Sequence, residues 1–258
     1  MLDNSSPLLS VLPAPDEAQE IAGPSSSLKD RGIYGFDSID ARSRSFNLIR
    51  SRLLELRRSQ GWRMLGIVSA TPQVGKSFIA ANLAAALSRA PEFQTYLLDL
   101  DLRRGSVSDL CGLGADGNLQ DYLDASAEVV RPAAYRFESE SLVIIPTTHR
   151  LTPSAELLGG QRAQDLFQAM RQSADNNLFI IDLPPVFAND DAMIAMVSLD
   201  AYILVAEEGK TTERELKDVT SMLGRERLAG TILNKYRGGV MNEGHGVSGY
   251  YNAGYEQH

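Results

Sequence analysis

Three short segments of this chain carry residue types and spacings suited to chemistry on a phosphorylated ligand. The first is Ala70-Thr71-Pro72-Gln73-Val74-Gly75-Lys76-Ser77, which fits G-x-x-x-x-G-K-[ST] except that Ala70 stands at the first glycine. An apolar run from Met64 to Val68 precedes it, and an apolar helical pattern from Lys76 to Arg89 follows. In that strand-loop-helix context the backbone N–H groups of Thr71, Pro72, Gln73, Val74, Gly75, Lys76, Ser77 and Phe78 (proline contributing position only) form a cradle for phosphate oxygens. The helix N-terminus adds positive partial charge. Lys76 is placed to neutralise β- and γ-phosphates, and the Ser77 hydroxyl to ligate Mg²⁺, so the expected cofactors are ATP and Mg²⁺.

The second segment, Phe179-Ile-Ile-Asp182-Leu-Pro-Pro185, is an apolar strand ending in a carboxylate that can hold Mg²⁺ through water. The third, Tyr96-Leu-Leu-Asp99-Leu-Asp101-Leu-Arg103, carries carboxylates at i and i+2, which strand alternation puts on one face. Asp99 and Asp182 could instead be plain caps at strand ends. Ionised carboxylates avoid apolar surroundings unless paired or metal-bound. Three of them at the ends of apolar strands, beside a phosphate loop, favour a joint nucleotide site with Asp99 and Asp182 near the metal.

Such a site must be positioned by a sheet. Further short apolar runs occur at Thr95–Leu100, Leu142–Pro146, Leu178–Leu183, Ala201–Ala206 and Gly230–Leu233, without polar alternation, as in a parallel sheet covered on both faces. Helical patterns lie between them at about 154–173, 190–198 and 211–224. These βα units predict an α/β fold, a doubly wound and mostly parallel sheet of the P-loop NTPase type. Strand C-terminal ends line the ligand crevice of such sheets, which brings the three segments together. A further helix is predicted from about Arg42 to Arg58, where Phe46, Ile49, Leu53 and Leu56 make one apolar stripe on an otherwise basic surface. That basic face suits solvent, a second subunit or an acidic membrane surface.

Residues 1–40, rich in Pro and Ser, are expected to be disordered. The folded domain is expected over 41–236, and 237–258 reads as a Gly-rich flexible tail bearing Tyr250, Tyr251 and Tyr255. The 258 residues carry a net charge of −8, which argues against nucleic acid as a partner. One cysteine, Cys111, excludes a disulfide framework and reads as a packing residue. No run approaches the roughly 18 apolar residues of a membrane span, and Met1 to Ser10 lack the basic start of a signal peptide, so a cytoplasmic location is expected. His149, His245 and His258 show no metal-ligand spacing.

With these motifs in view, the chain resembles the bacterial tyrosine kinases of polysaccharide export (BY-kinases), P-loop proteins of the MinD/ParA group. Ser69-Ala-Thr-Pro72-Gln-Val-Gly75-Lys76-Ser77 is similar to their Walker A loop, Leu97-Leu98-Asp99-Leu100-Asp101-Leu102-Arg103 to their D-x-D-x-R motif, and Ile180-Ile181-Asp182-Leu183-Pro184-Pro185 to their D-x-P-P Walker B. Pro153-Ser-Ala-Glu-Leu-Leu158 and Asp190-Asp191-Ala192 agree with further family segments. The resemblance implies that Lys76, Asp99, Asp101 and Asp182 are catalytic and that Ser77, Asp99 and Asp182 hold the metal. Asn234 would contact adenine, and Tyr250, Tyr251 and Tyr255 would be phosphoacceptors. It also implies a homo-oligomer, a membrane-embedded polysaccharide co-polymerase as activating partner, and a peripheral position at the inner face of the plasma membrane. The chain departs from the family where Arg44-Ser-Phe-Asn47-Leu-Ile-Arg50 stands for E-x-x-R-x-x-R, and where Gln73 and Val74 replace the usual loop residues. Two readings stay open: a tyrosine autokinase regulating polysaccharide polymerisation and export, and an ATPase switch that controls partner assembly without phosphorylating tyrosine. A partitioning ATPase is disfavoured, since no lysine stands near the start of the loop.

Overall fold

The apolar runs become strands because a central parallel strand must be hydrophobic on both faces. In the computed structural model, which describes residues 11–21, 25–113, 119–124, 130–137, 140–148 and 153–236, eight strands form one sheet. They are β1 (Gln19–Glu20), β2 (Met64–Ser69), β3 (Gln94–Asp99), β4 (Tyr135–Arg136), β5 (Leu142–Ile145), β6 (Asn177–Asp182), β7 (Ala201–Glu207) and β8 (Leu228–Asn234). Their order across the sheet is β1-β4-β5-β3-β6-β2-β7-β8. All neighbours pair in parallel except β4 with β5.

The helices are α1 (Arg44–Gln60), α2 (Lys76–Leu87), α3 (Val107–Cys111), α4 (Leu119–Leu123), α5 (Ser154–Gly159), α6 (Gln161–Gln172), α7 (Asp191–Met196) and α8 (Glu213–Leu223). Alternate strand residues feed two cores. Leu65, Ile67, Leu97, Ile180 and Val205 pack with α1, α2 and α3 on one face. Val68, Leu98, Phe179, Ile181 and Leu204 pack with α4, α6, α7 and α8 on the other. Along α1, Phe46 and Leu53 are buried with Ile49 and Leu56 packed beside them, which is the predicted stripe. The predicted 154–173 helix is two helices, because Gly160 is extended (φ −75°, ψ 167°) between α5 and α6. The short β1, β4, α3 and α4 were not anticipated.

The expectation of disorder over residues 1–40 fails for the part described. Leu12, Ala18, Leu28 and Ile33 are buried. Gln19 N–H donates to Ala134 O and Ile21 N–H to Arg136 O, each at 2.8 Å, so β1 extends the sheet. Residues 32–35 are bound to α2 by one fully buried side chain, Asn82. Its Oδ1 accepts from the Tyr34 and Gly35 amides at 2.7 and 3.1 Å, and its Nδ2 donates to Gly32 O at 3.0 Å. A Cβ on Gly35 would lie 2.1 Å from Asn82 O, so only glycine permits this approach. Composition averages over a segment and misses a few apolar anchors whose backbone is satisfied by a partner elsewhere. The 40/41 boundary is therefore not a boundary of packing. Residues 1–10 and 237–258, with Tyr250, Tyr251 and Tyr255, lie outside the described residues.

Candidate functional site

The sheet order decides which chemistry meets. β6 lies between β2 and β3, so the strand ending in Asp182 is flanked by the strand leading to the loop and the strand ending in Asp99. In register, Asp182 stands opposite Asp99 on one side and Ile67 on the other. The loop after β2 turns sharply: Gln73 has φ 64° and Gly75 φ 94°. Ser69 Oγ donates to Thr71 O at 2.7 Å, tying the start of the loop to itself. The turn delivers Lys76 and Ser77 into the first turn of α2, facing the strand ends.

Lys76 is 6% exposed, and its Nζ lies 3.9 Å from Asp101 Oδ2. The Ser77 hydroxyl donates to Asp182 Oδ2. The other oxygen, Asp182 Oδ1, is buried without a hydrogen-bond partner among the described residues. Burial raises the Asp182 pKa to about 6, against the opposing pull of Lys76 and Ser77. Burial and the neighbouring Asp182 charge together hold Asp99 well above the usual carboxylate range. Burial raises Asp101 too, with Lys76 opposing. Asp101 and Asp182 thus share one buried ammonium, with Asp99 buried beside them, a set that a further cation would balance.

A cavity of about 370 Å³ opens here, lined by Pro72, Gln73, Gly75, Lys76, Ser77, Phe78 and Asp101, with Arg104, Ser106, Leu110 and Pro185. The last four were not among the residues expected from sequence, although Pro185 lies in the quoted D-x-P-P segment and Arg104 directly follows Arg103. Thr71 and Val74 do not line it; Val74 is fully buried in the core.

Although β3 ends at Asp99, the alternation carries on past it: Leu98, Leu100 and Leu102 pack in one core, so Asp99 and Asp101 keep to the other face as expected. Asp99 is fully buried, and its Oδ1 accepts from the Asp101 amide at 3.1 Å. Its Oδ2 accepts from the Ser106 and Val107 amides at 3.0 and 3.1 Å. Asp99, expected near the metal, thus anchors the turn that carries Asp101 and the start of α3. Asp101 is the one that lines the cavity. Asn234, expected at the adenine, turns its Nδ2 to Val74 O at 2.8 Å, against the loop itself.

The remaining family-like segments converge beside Asp101. Asp191 Oδ2 accepts from Ser154 Oγ at 2.6 Å and Asn189 Nδ2 at 2.9 Å, and lies 3.6 Å from Arg103 Nε. Arg103 Nε also donates to Ser154 Oγ at 2.7 Å.

Among the described residues no group of three or more His, Cys, Asp or Glu side chains forms a metal cage. Mg²⁺ does not need one, since it binds through one or two protein oxygens plus phosphate and water. The hard-oxygen pair Ser77 and Asp182, with Asp182 Oδ1 free inside a buried site, fits that ion.

Comparison with known proteins agrees with the fold. Residues 65–247 match the CobQ/CobB/MinD/ParA nucleotide-binding domain family. The chain is similar to tyrosine-protein kinase etk of Escherichia coli strain K12, 29% identical over 180 residues covering 69% of this chain and 23% of that protein. The solved kinase domain of E. coli tyrosine kinase ETK superposes with TM-score 0.67 at 26% identity, over 81% of this chain and 84% of that one. Succinoglycan biosynthesis transport protein ExoP of Rhizobium meliloti strain 1021 is 30% identical over 179 residues, 67% of this chain and 22% of that protein. The septum site-determining protein MinD of Pyrococcus horikoshii, solved with Mg-ADP, superposes with TM-score 0.55 at 25% identity, over 68% of this chain and 71% of that one. The chain spans under a quarter of the length of the curated relatives named here.

Proposed function

This chain belongs to the CobQ/CobB/MinD/ParA nucleotide-binding family, and from that premise we propose that it is an ATP- and Mg²⁺-dependent protein-tyrosine kinase of exopolysaccharide synthesis. The observation that carries the reading is a cavity lined by Lys76, Ser77 and Asp101, with the buried, half-partnered Asp182 bonded to the Ser77 hydroxyl. Relatives named tyrosine-protein kinase and succinoglycan biosynthesis transport protein support the class of reaction and its setting.

In this reading the loop amides and Lys76 hold the β- and γ-phosphates of ATP. Ser77 and Asp182 hold Mg²⁺, which neutralises developing phosphate charge when bound. Catalysis is then chiefly positioning and charge stabilisation. The incoming tyrosine oxygen bonds to the γ-phosphorus, and the bond from that phosphorus to the β–γ bridging oxygen breaks. The tyrosine proton passes to Asp101, whose raised pKa suits a proton acceptor. Asp99 keeps Asp101 in place through the turn amides. The acceptors proposed are Tyr250, Tyr251 and Tyr255, presented between subunits of a homo-oligomer. The proposed activator is a membrane-embedded polysaccharide co-polymerase, a reading supported by a relative named succinoglycan biosynthesis transport protein.

The test incubates the purified chain with ATP and Mg²⁺, alone and with membrane fraction, beside Lys76→Met, and maps phosphate by mass spectrometry. Phosphotyrosine in residues 237–258, absent in the variant, is the expected result. ATP consumption without phosphotyrosine in either condition would make the chain a nucleotide switch instead.

A further inference from the structure

Behind the phosphate loop, on the side away from the cavity, three consecutive carbonyls are each met by a side-chain donor. Lys210 Nζ lies 3.4 Å from Pro72 O, Lys235 Nζ lies 2.7 Å from Gln73 O, and Asn234 Nδ2 lies 2.8 Å from Val74 O. One carboxylate holds both ammonium groups. Glu207 Oε2 is 3.3 Å from Lys210 Nζ and 3.2 Å from Lys235 Nζ. Desolvation pushes the Glu207 carboxyl up, but the hydrogen bonds and charges of the two lysines outweigh it and leave the group below its ordinary value.

A trans peptide is planar, so the C=O of one residue and the N–H of the next point in opposite directions. Pinning the carbonyls of residues 72, 73 and 74 outward therefore aims the amides of Gln73, Val74 and Gly75 inward, toward the phosphates. One of these residues needs the help. Gln73 has φ 64° without being glycine, a conformation that costs on the order of 1–3 kcal/mol unless its surroundings impose it. An ammonium on the carbonyl side also polarises the peptide, which strengthens the N–H as a donor at its other end.

We infer that Lys210 and Lys235, gathered by Glu207, position the phosphate loop from its outer side and thereby set its affinity for the phosphate chain of the nucleotide. The inference rests on the nucleotide reading of the cavity and adds residues that do not line it. It also accounts for how the loop works with Gln73 in place of a glycine: the donor that Lys235 supplies replaces the conformational freedom the glycine would have had. The side chains of Lys210 and Lys235 are 45% and 47% exposed, so replacing them leaves no buried gap.

The test titrates Mg·ATP and Mg·tripolyphosphate by calorimetry into the full chain and into Lys210→Met, Lys235→Met, the double variant and Lys235→Arg. Thermal unfolding without ligand is followed in parallel. The double variant is expected to bind both ligands about tenfold more weakly, the loss of two charge-assisted contacts, with its ligand-free unfolding midpoint unchanged. Lys235→Arg should recover most of the Lys235→Met loss, and in a Gln73→Gly background Lys235→Met should cost less than in the parent. Binding of both ligands within twofold of the parent overturns the inference. So does a loss confined to ATP with tripolyphosphate unchanged, because the lysines would then be serving the base. If the parent chain binds neither ligand, the nucleotide reading falls and takes this inference with it.

Discussion

Replacing Gly75 by alanine tests the geometry of the loop through a pairing that sequence does not announce. Gly75 sits at φ 94°, and a Cβ there would lie 2.2 Å from Asn234 Nδ2. The backbone conformation alone costs a non-glycine residue roughly 1–3 kcal/mol. The methyl group also drives Asn234 off Val74 O, which removes a hydrogen bond worth about 0.5–1.5 kcal/mol. Gly75→Ala should therefore destabilise by roughly 2–4 kcal/mol, and Asn234→Ala alone by about 1 kcal/mol. In the double variant the strain remains, but the clash is gone and the hydrogen bond cannot be lost twice. Urea unfolding of the parent, both single variants and the double should show a total at least about 1 kcal/mol less than the sum of the singles. Additivity within about 0.5 kcal/mol would refute the contact. Weakened Mg·ADP binding in Gly75→Ala, beyond that in Asn234→Ala, would place the same strain at the phosphate cradle.

Three further outcomes follow from buried polar groups. The folded chain keeps protons on Asp99 and Asp182 to higher pH than the unfolded chain does, Asp182 to about 6, so it binds more protons between pH about 4 and 6. Metal-free stability should accordingly fall as pH rises through that window. Asp182→Asn should flatten this dependence and be more stable than the parent at pH 8 in EDTA; a variant less stable there would contradict the assignment. Asp99→Ala strands three backbone amides and should cost about 3 kcal/mol or more. Asp101→Asn should barely change the unfolding midpoint while removing phosphotransfer, and equal destabilisation by both would dissolve the distinction drawn between them. Asn82→Ala should release residues 32–35 from α2, seen as faster hydrogen exchange at the Tyr34 and Gly35 amides and a loss of roughly 2–4 kcal/mol. Unchanged exchange there would show that the apolar anchors suffice.

The parallel sheet was legible because its strands must be apolar throughout, and the runs at Leu178 and Ala201 stand out against any background. Lys76, Ser77 and Asp182 were legible because phosphate loops and Walker B strands place them by local spacing. Asp99 and Asp101 were legible as a pair because the alternation runs on through Leu98, Leu100 and Leu102, but their different surroundings were not. The Asp99 carboxylate captures the amides of residues 101, 106 and 107, a set of contacts that no spacing announces. Packing of the first forty residues was illegible for another reason. Pro- and Ser-rich composition describes an average, whereas the segment is fixed by Leu12, Leu28 and Ile33 together with an asparagine nearly fifty residues away. Lys210 and Lys235 were invisible because no spacing rule links residue 73 to residue 235; only the adjacency of β7 and β8 does.

That adjacency also shows why the site tolerates departures in its loop. A phosphate cradle needs its amides aimed inward, and glycines at the turn are one way to let the backbone reach that geometry. Here only Gly75 is retained, and Gln73 occupies a left-handed conformation. What compensates is position: β8 ends beside the loop, so Asn234 and Lys235 arrive where Val74 and Gln73 present their carbonyls. Glu207 at the end of β7 keeps Lys235 from swinging away. The cavity side of the loop is served by Lys76 and Ser77, and the outer side by residues from two other strands. Substitution inside the motif is thus matched by contacts outside it, and the loop's geometry is a property of the sheet edge as much as of the eight residues that spell it.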